Sequence, residues 1–225
     1  MASQAPATGM ATSKPCIFLL SLETESFFEE IYKKLLDGLL SKAKVQRATK
    51  PAPTIKYLSE NTPNATLITD PSITETRYSA VLEKVITYAR NGGTVIFGGL
   101  FSTFVTPDRL DRFFDFSWGI PWKYGDYHRT TVYVNVHCQG METKGLPASY
   151  SQKAVFLKNV SPECAVYSPT KNSVTESLVF ASQPVGDLSQ KPVVFAAYGQ
   201  GWVGYVGDVN GEEGSHAAVL AMCKL

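Results

Sequence analysis

Four short apolar runs divide the first hundred residues, and each is followed by side chains at helical spacing. Residues 15–20 (PCIFLL) read as a buried strand, 44–49 as a weaker one, 65–71 as a third strand with its exit, and 95–97 as a fourth. After the first run, Phe27, Phe28, Ile31, Leu35, Leu36, Leu39 and Leu40 recur with the period of a helix face. Tyr78, Val81, Leu82, Val85, Ile86 and Ala89 do the same before the fourth run, and Gly92 suits the position just past that helix. A chain that alternates strand and helix in this way buries both faces of a parallel sheet under helices, because parallel strands need crossover connections. The expected fold class is therefore a three-layer α/β, flavodoxin-like, mostly parallel sheet with helices on both faces.

Local signals refine the boundaries. Ser26-Phe27-Phe28-Glu29 and Ser72-Ile73-Thr74-Glu75 both match a capping box. Pro51 and Pro53 break the second strand, leaving a short helix over 54–60, and Thr106-Pro107-Asp108 starts another helix with Pro at its first position. Residues 116–129 are rich in Trp, Tyr, Gly and Pro without a period, and read as a long aromatic loop carrying Trp118 and Trp122. The second half changes character. Residues 131–138 alternate, and 154–157, 164–167, 177–181 and 193–198 are further short strands separated by turn signals. A closing strand over 201–207 and a helix over 215–224 complete an antiparallel extension. Residues 1–14 are rich in small residues and read as a flexible tail, leaving 15–225 as a single domain.

Composition narrows the function. The formal net charge is +1, which gives no electrostatic case for nucleic acid or an anionic membrane as partner. The four cysteines are far apart and form no metal-ligand spacing, so they read as reduced thiols of a cytoplasmic protein. The first apolar stretch is too short for a signal core or a membrane span. Asn64-Ala65-Thr66 and Asn159-Val160-Ser161 match the glycosylation pattern by chance in that setting.

In an open parallel sheet, ligands sit beyond the carboxyl ends of the strands. The residues just past those ends should converge. Glu23, Asp70, Gly98, Gly99, Asn210 and Glu212 are the candidate ligand-binding positions. The Gly98-Gly99 turn is the most pointed of them, because a strand-to-helix turn of this kind carries the nucleophile in many α/β enzymes. Here Leu100 follows it, and the nearest hydroxyl is Ser102. A hydrolase reading uses Ser102 as nucleophile, His128 as base and Asp208 or Glu212 to orient it, although the form G-x-S-x-G is absent. An anion reading uses the backbone N–H groups of Gly98 and Gly99, but G-x-G-x-x-G and the P-loop Lys are missing. Asp208, Glu212 and Glu213 offer oxygen ligands without the EF-hand pattern, so neither metal nor cofactor is expected.

The arrangement of residues 92–102 as an elbow region, with the closing run Gly201-Trp202-Val203-Gly204-Tyr205-Val206-Gly207-Asp208, resembles the class I glutamine amidotransferase-like superfamily and its ThuA-like relatives. Within it the chain resembles fungal members that lack the Cys–His catalytic pair. In true amidotransferases the elbow carries Cys, and a His with a nearby Glu follows the late strand. Leu100 or Phe101 falls where that Cys would be, Asp208 falls near the His, and Glu212 approximates the Glu. The resemblance implies the fold and a non-glutaminase function: binding of a small polar ligand or a protein partner at the strand carboxyl ends. Two alternatives stand beside it, the Ser102 hydrolase and an oligomerisation or interaction scaffold built on the 116–129 loop, which would make a homo-oligomer.

Overall fold

A computed structural model describes residues 14–225. The expected flexible tail lies outside the described residues as far as residue 13. Strands β1 (Cys16–Leu20), β2 (Lys44–Ala48), β3 (Ala65–Ile68) and β4 (Thr94–Phe97) alternate with helices α1 (Phe28–Ile31), α2 (Lys33–Lys42), α3 (Pro51–Glu60) and α4 (Ser79–Arg90). Two short helices follow, α5 (Leu100–Phe104) and α6 (Pro107–Arg112), and α6 runs directly into a π-helical turn over Phe113–Trp118. The second half supplies β5 (Lys123–Val134), β6 (Ser149–Lys158), β7 (Ala165–Ser168), β8 (Val193–Tyr198), β9 (Gly201–Val206) and α7 (Glu213–Met222).

All nine strands join one sheet in the order β2-β1-β3-β4-β9-β8-β7-β5-β6. The β2-β1-β3-β4-β9 half is parallel and the remainder antiparallel. This is the mixed α/β architecture that the alternation dictates. Successive residues of a strand face opposite sides, so Ile17 and Leu19 pack with Leu35, Leu39, Val219 and Met222 on one face. Phe18 and Leu20 pack with Val81, Val85, Phe101 and Leu110 on the other. Both faces of β1, β3 and β4 are covered, which is why their sequences are continuous apolar runs rather than alternating ones.

Several local expectations are corrected. Neither capping box forms. The first helix starts at Phe28 without a side-chain cap, and residues 72–75 belong to a 3₁₀ turn (Pro71–Thr74) capped instead by Asp70, whose Oδ1 accepts from the Ser72 N–H at 3.0 Å. Pro51 opens α3 rather than delaying it, since proline at the first helical position gives up only an N–H that has no partner there. Most of the supposed aromatic loop is ordered. Its first residues finish the π turn, and from Lys123 onward it is β5, whose pairing with β6 shifts register between Tyr124 and Tyr127 and so hides the alternation. The strand expected over 131–138 stops at Val134, where the Asn135 side chain bonds the His137 N–H and the Ala165 carbonyl and turns the chain. Residues 177–181 form no strand: the Ser177 hydroxyl accepts from the N–H groups of Val179 and Phe180, leaving Leu178, Val179 and Phe180 exposed.

Candidate functional site

The register places Leu20, Ile68, Phe97 and Tyr205 side by side, so the chain leaves β1, β3, β4 and β9 along one edge of the sheet. Ser21 and Thr69 share a buried hydroxyl–hydroxyl bond of 2.7 Å there, and the Gly98 N–H reaches the Ile68 carbonyl at 3.1 Å. Gly99 then turns the chain into α5 with φ +63° and ψ −132°, a conformation open to glycine at little cost. A Cβ at Gly99 would stand 3.3 Å from the Phe28 ring and 3.4 Å from the Thr69 carbonyl. The elbow therefore exists, but Phe28 from α1 is packed onto it, and Leu100, Phe101 and Ser102 behind it are buried.

That packing decides how Ser102 can act. Its hydroxyl is 1% exposed and donates to the Val206 carbonyl at 2.8 Å, fastening α5 to the end of β9. His128 is not in a loop but on β5. Its ring stacks on Phe156 with centroids 4.5 Å apart, and its buried Nε2 has no hydrogen-bond partner. Burial lowers the His128 pKa, with Asp126 opposing the shift. No hydrogen bond joins Ser102 to His128 among the described residues, so the structure does not assemble the Ser–His pair.

The acidic candidates fall into two groups. On one flank Glu23 pairs with Arg77, Arg77 Nε donates to Glu75 Oε2 at 2.6 Å, and Arg109 lies 3.2 Å from Glu75 Oε1. Asp70 beside them is buried, its carboxyl pushed up by desolvation while its bond to Ser72 opposes the shift. On the other flank Asp208 is 3% exposed and accepts from the N–H groups of Asn210 (2.8 Å) and Glu212 (2.6 Å). Desolvation raises its pKa as well, against those bonds and one from Ser215. Asp208 thus holds the turn that leads into α7. Glu23 and Asp70 share their flank with Arg77 and Arg109, whereas Asp208, Asn210 and Glu212 cluster at the start of α7.

Beside the second flank a cavity of about 660 Å³ opens between α1, α2, β6 and the start of α7. Tyr150, Glu212 and His216 line it, with Lys34 at its rim in an ion pair with Glu213. Tyr150 shares a 3.0 Å bond with the Ser215 hydroxyl. Arg129 Nη2 donates to Glu212 Oε1 at 2.6 Å, and its Nη1 reaches Ser151 at 3.2 Å. His216 is 7% exposed, and neither of its ring nitrogens has a hydrogen-bond partner. Burial depresses its pKa, while Asp208, Glu213 and Glu212 oppose that and Lys34 adds to it. Gly211 at φ +71° closes over the ring: a Cβ there would sit 3.4 Å from Nε2 and 3.1 Å from the Ile31 carbonyl. Among the described residues no three His, Cys, Asp or Glu side chains could hold a metal ion. Reading the sequence missed His216, Tyr150 and Arg129. The available signal was the closeness of His216 to the predicted Glu212 at the start of α7, and both line the cavity.

The aromatic segment is mostly core. Trp118 is 2% and Trp122 3% exposed, and Trp118 packs edge-on against Phe97 (5.5 Å) and Tyr198 (5.0 Å). Of its large side chains, Phe116 and Tyr127 face outward. No helix among the described residues is long and apolar enough to cross a membrane.

No protein-family model matches the sequence, and no curated protein matches it. Solved structures do match the fold. A putative ThuA-like protein from Bacteroides uniformis superposes with a TM-score of 0.60 at 14% identity, over 97% of this chain and 94% of that one. A putative ThuA-like protein from Parabacteroides merdae gives 0.55 at 12%, over 95% and 89%. A beta-galactosidase from Bacillus circulans gives 0.56 at 10%, where the match takes in 94% of this chain but 31% of the enzyme. At these identities the likeness is one of fold, and the two putative ThuA-like proteins share it along nearly their whole length.

Proposed function

We propose that this chain is a non-glutaminase protein of its fold that binds a small polar ligand in the cavity beside α7. The observation that carries the reading is the contrast between two neighbouring places on one sheet edge. The elbow is filled by Phe28, and its nearest hydroxyl, on Ser102, is bonded to a backbone carbonyl. The open cavity next to it gathers Tyr150, Glu212 and a His216 whose two ring nitrogens are unsatisfied. Leaving a buried polar group unpaired costs about 1–3 kcal/mol, and a ligand able both to donate to and accept from a neutral imidazole would recover part of that cost. Reaching Nε2 requires the turn at Gly211 to yield slightly, since that glycine covers it.

A thermal-shift screen of polar metabolites tests the reading. At least one compound should raise the melting temperature of the wild type, because a ligand bound only by the folded state stabilises it by mass action. The same compound should lose its effect on His216→Gln. Equal melting across the whole library would overturn the proposal, and so would release of ammonia from glutamine by the purified protein.

A further inference from the structure

A second cavity, of about 640 Å³, lies on the opposite flank of the sheet edge, between the 3₁₀ turn after β3 and the α6–π segment. We infer that it binds a small anion carried on an aromatic or heteroaromatic ring, held by Arg109 and Arg112 at one end and by Phe116 at the other.

The helical spacing sets this up. Arg109, Arg112 and Phe116 follow one another at i+3 and i+4, and side chains at those offsets share a face. All three line the cavity. The charges around it are unevenly matched. Glu75, the acidic side chain in the wall, has both oxygens engaged, one with Arg77 and the other with Arg109. Arg109 Nη2 is buried and makes no hydrogen bond, although it stands 3.2 Å from Glu75. Arg112 donates its Nε to the Asp108 carbonyl at 3.1 Å, and among the described residues it has no ion pair. Of the acids on the same helical segment, Asp111 accepts from the Tyr124 N–H and Asp115 pairs with Lys123, while Asp108 meets Arg112 through its backbone carbonyl. The planar guanidinium of Arg112 leaves donors suited to bidentate contact with a carboxylate or phosphate, and Arg109, paired with Glu75, adds its charge beside it.

The aromatic half comes from the π turn. Phe113, Phe114 and Trp118 turn inward to the cluster around Phe97, while Phe116 is left 79% exposed at the cavity. Single-turn π segments inside α-helices occur often at functional sites, where the wider winding re-aims a side chain. Here it turns a large ring outward one helical turn beyond a cation without an ion pair. A guanidinium pair beside an exposed phenyl ring is suited to a ligand with a charged end and a flat end.

Isothermal titration and saturation-transfer NMR with phenyl phosphate test the inference on the full chain. Phenyl phosphate should bind saturably, with inorganic phosphate and benzyl alcohol each weaker by about tenfold or more, because each supplies only half of the contact. Adenosine monophosphate and benzoate are the comparison arms. Preference for the nucleotide identifies a heteroaromatic phosphate, and preference for benzoate an aryl carboxylate. Arg112→Gln and Phe116→Ala alter exposed side chains, so both variants should keep the wild-type melting temperature while losing about fivefold or more in affinity. No saturable binding of phenyl phosphate up to about 10 mM, far weaker than a specific small-molecule site, would overturn the inference. Unchanged affinity in Arg112→Gln or in Phe116→Ala would overturn it equally. This cavity is separate from the one beside α7, so His216→Gln should leave phenyl phosphate binding intact.

Discussion

Ser102→Ala separates a catalytic hydroxyl from a structural one. In the structure Ser102 is 1% exposed and its hydroxyl donates to the Val206 carbonyl at 2.8 Å, at the point where β9 ends and the turn held by Asp208 begins. Removing a donor from a buried pair loses a net bond of about 1 kcal/mol and leaves the acceptor under-satisfied, for a total of about 1–3 kcal/mol. A chain of this length loses about 2–4 °C in melting temperature per kcal/mol, so the expected fall is about 2–12 °C. Differential scanning calorimetry, with urea unfolding as a second probe, measures it. Turnover on an ester and amide panel should be the same in both proteins, because this hydroxyl makes no bond to an imidazole. A nucleophile would behave in the opposite way: melting would be unchanged and turnover abolished. A shift below about 1 °C would show that the Val206 bond carries no stability and would refute the structural role, since an unsatisfied buried acceptor cannot be that cheap.

Other positions give independent checks. Phe28→Ala removes a 2%-exposed ring from over Gly99 and should cost about 3–5 kcal/mol, read as a lower urea midpoint; a near-neutral result would mean that the elbow is not held closed by this side chain. Trp118→Ala should cost a similar amount, about 3–5 kcal/mol, without altering the mass seen by light scattering, because the ring packs on Phe97 and Tyr198 inside the chain; a change of mass with unchanged stability would restore the interface reading. The depressed pKa of His216 predicts a pH effect of definite sign. A base that binds its proton less readily when folded contributes stability that is present above its unfolded pKa, about 6.5, and is lost as pH falls through the folded value. The stability of the wild type relative to His216→Gln should therefore fall as the pH drops below about 6.5. A difference that stays flat, or that rises as the solution is acidified, would show that burial and Lys34 do not hold the imidazole neutral against Asp208, Glu212 and Glu213.

How much of this was legible in the sequence depends on whether one element or several decide the outcome. β1, β3 and β4 were readable because each is covered on both faces, which turns a tertiary fact into a run such as Ile17-Phe18-Leu19-Leu20. The turn at Gly99 was readable because a positive φ under a crowded ring demands glycine. The capping-box spacing does not decide either start. Ser26 and Ser72 carry the right spacing, but Asp70 lies closer to the turn and takes the Ser72 N–H that a box would have used. Only the end of β5, from Thr131 to Val134, was readable, because the register shift between Tyr124 and Tyr127 breaks the alternation over its first part. Spacing alone could not show that the residues past the strand ends would divide between two flanks. Nor could it show that Phe28, a residue of α1 like any other on an apolar helix face, would be laid on Gly99 between them.

Phe28 links the fold to the function. A nucleophile carried on such an elbow must be open to substrate. With Phe28 seated on Gly99 and Leu100 behind it 3% exposed, the same backbone turn serves as a packing element. Polar groups excluded from that point must be satisfied elsewhere, because burying them unpaired is costly. On one side Asp208 spends its carboxylate on the turn before α7 and leaves His216 beside it without a partner. On the other, Glu75 engages Arg77 and Arg109 and leaves Arg112 without an ion pair. The unspent hydrogen-bonding capacity of this sheet edge therefore lies at His216 and Arg112 on its two flanks, and at the buried Asp70 Oδ2 just past β3, rather than at the Gly98-Gly99 elbow.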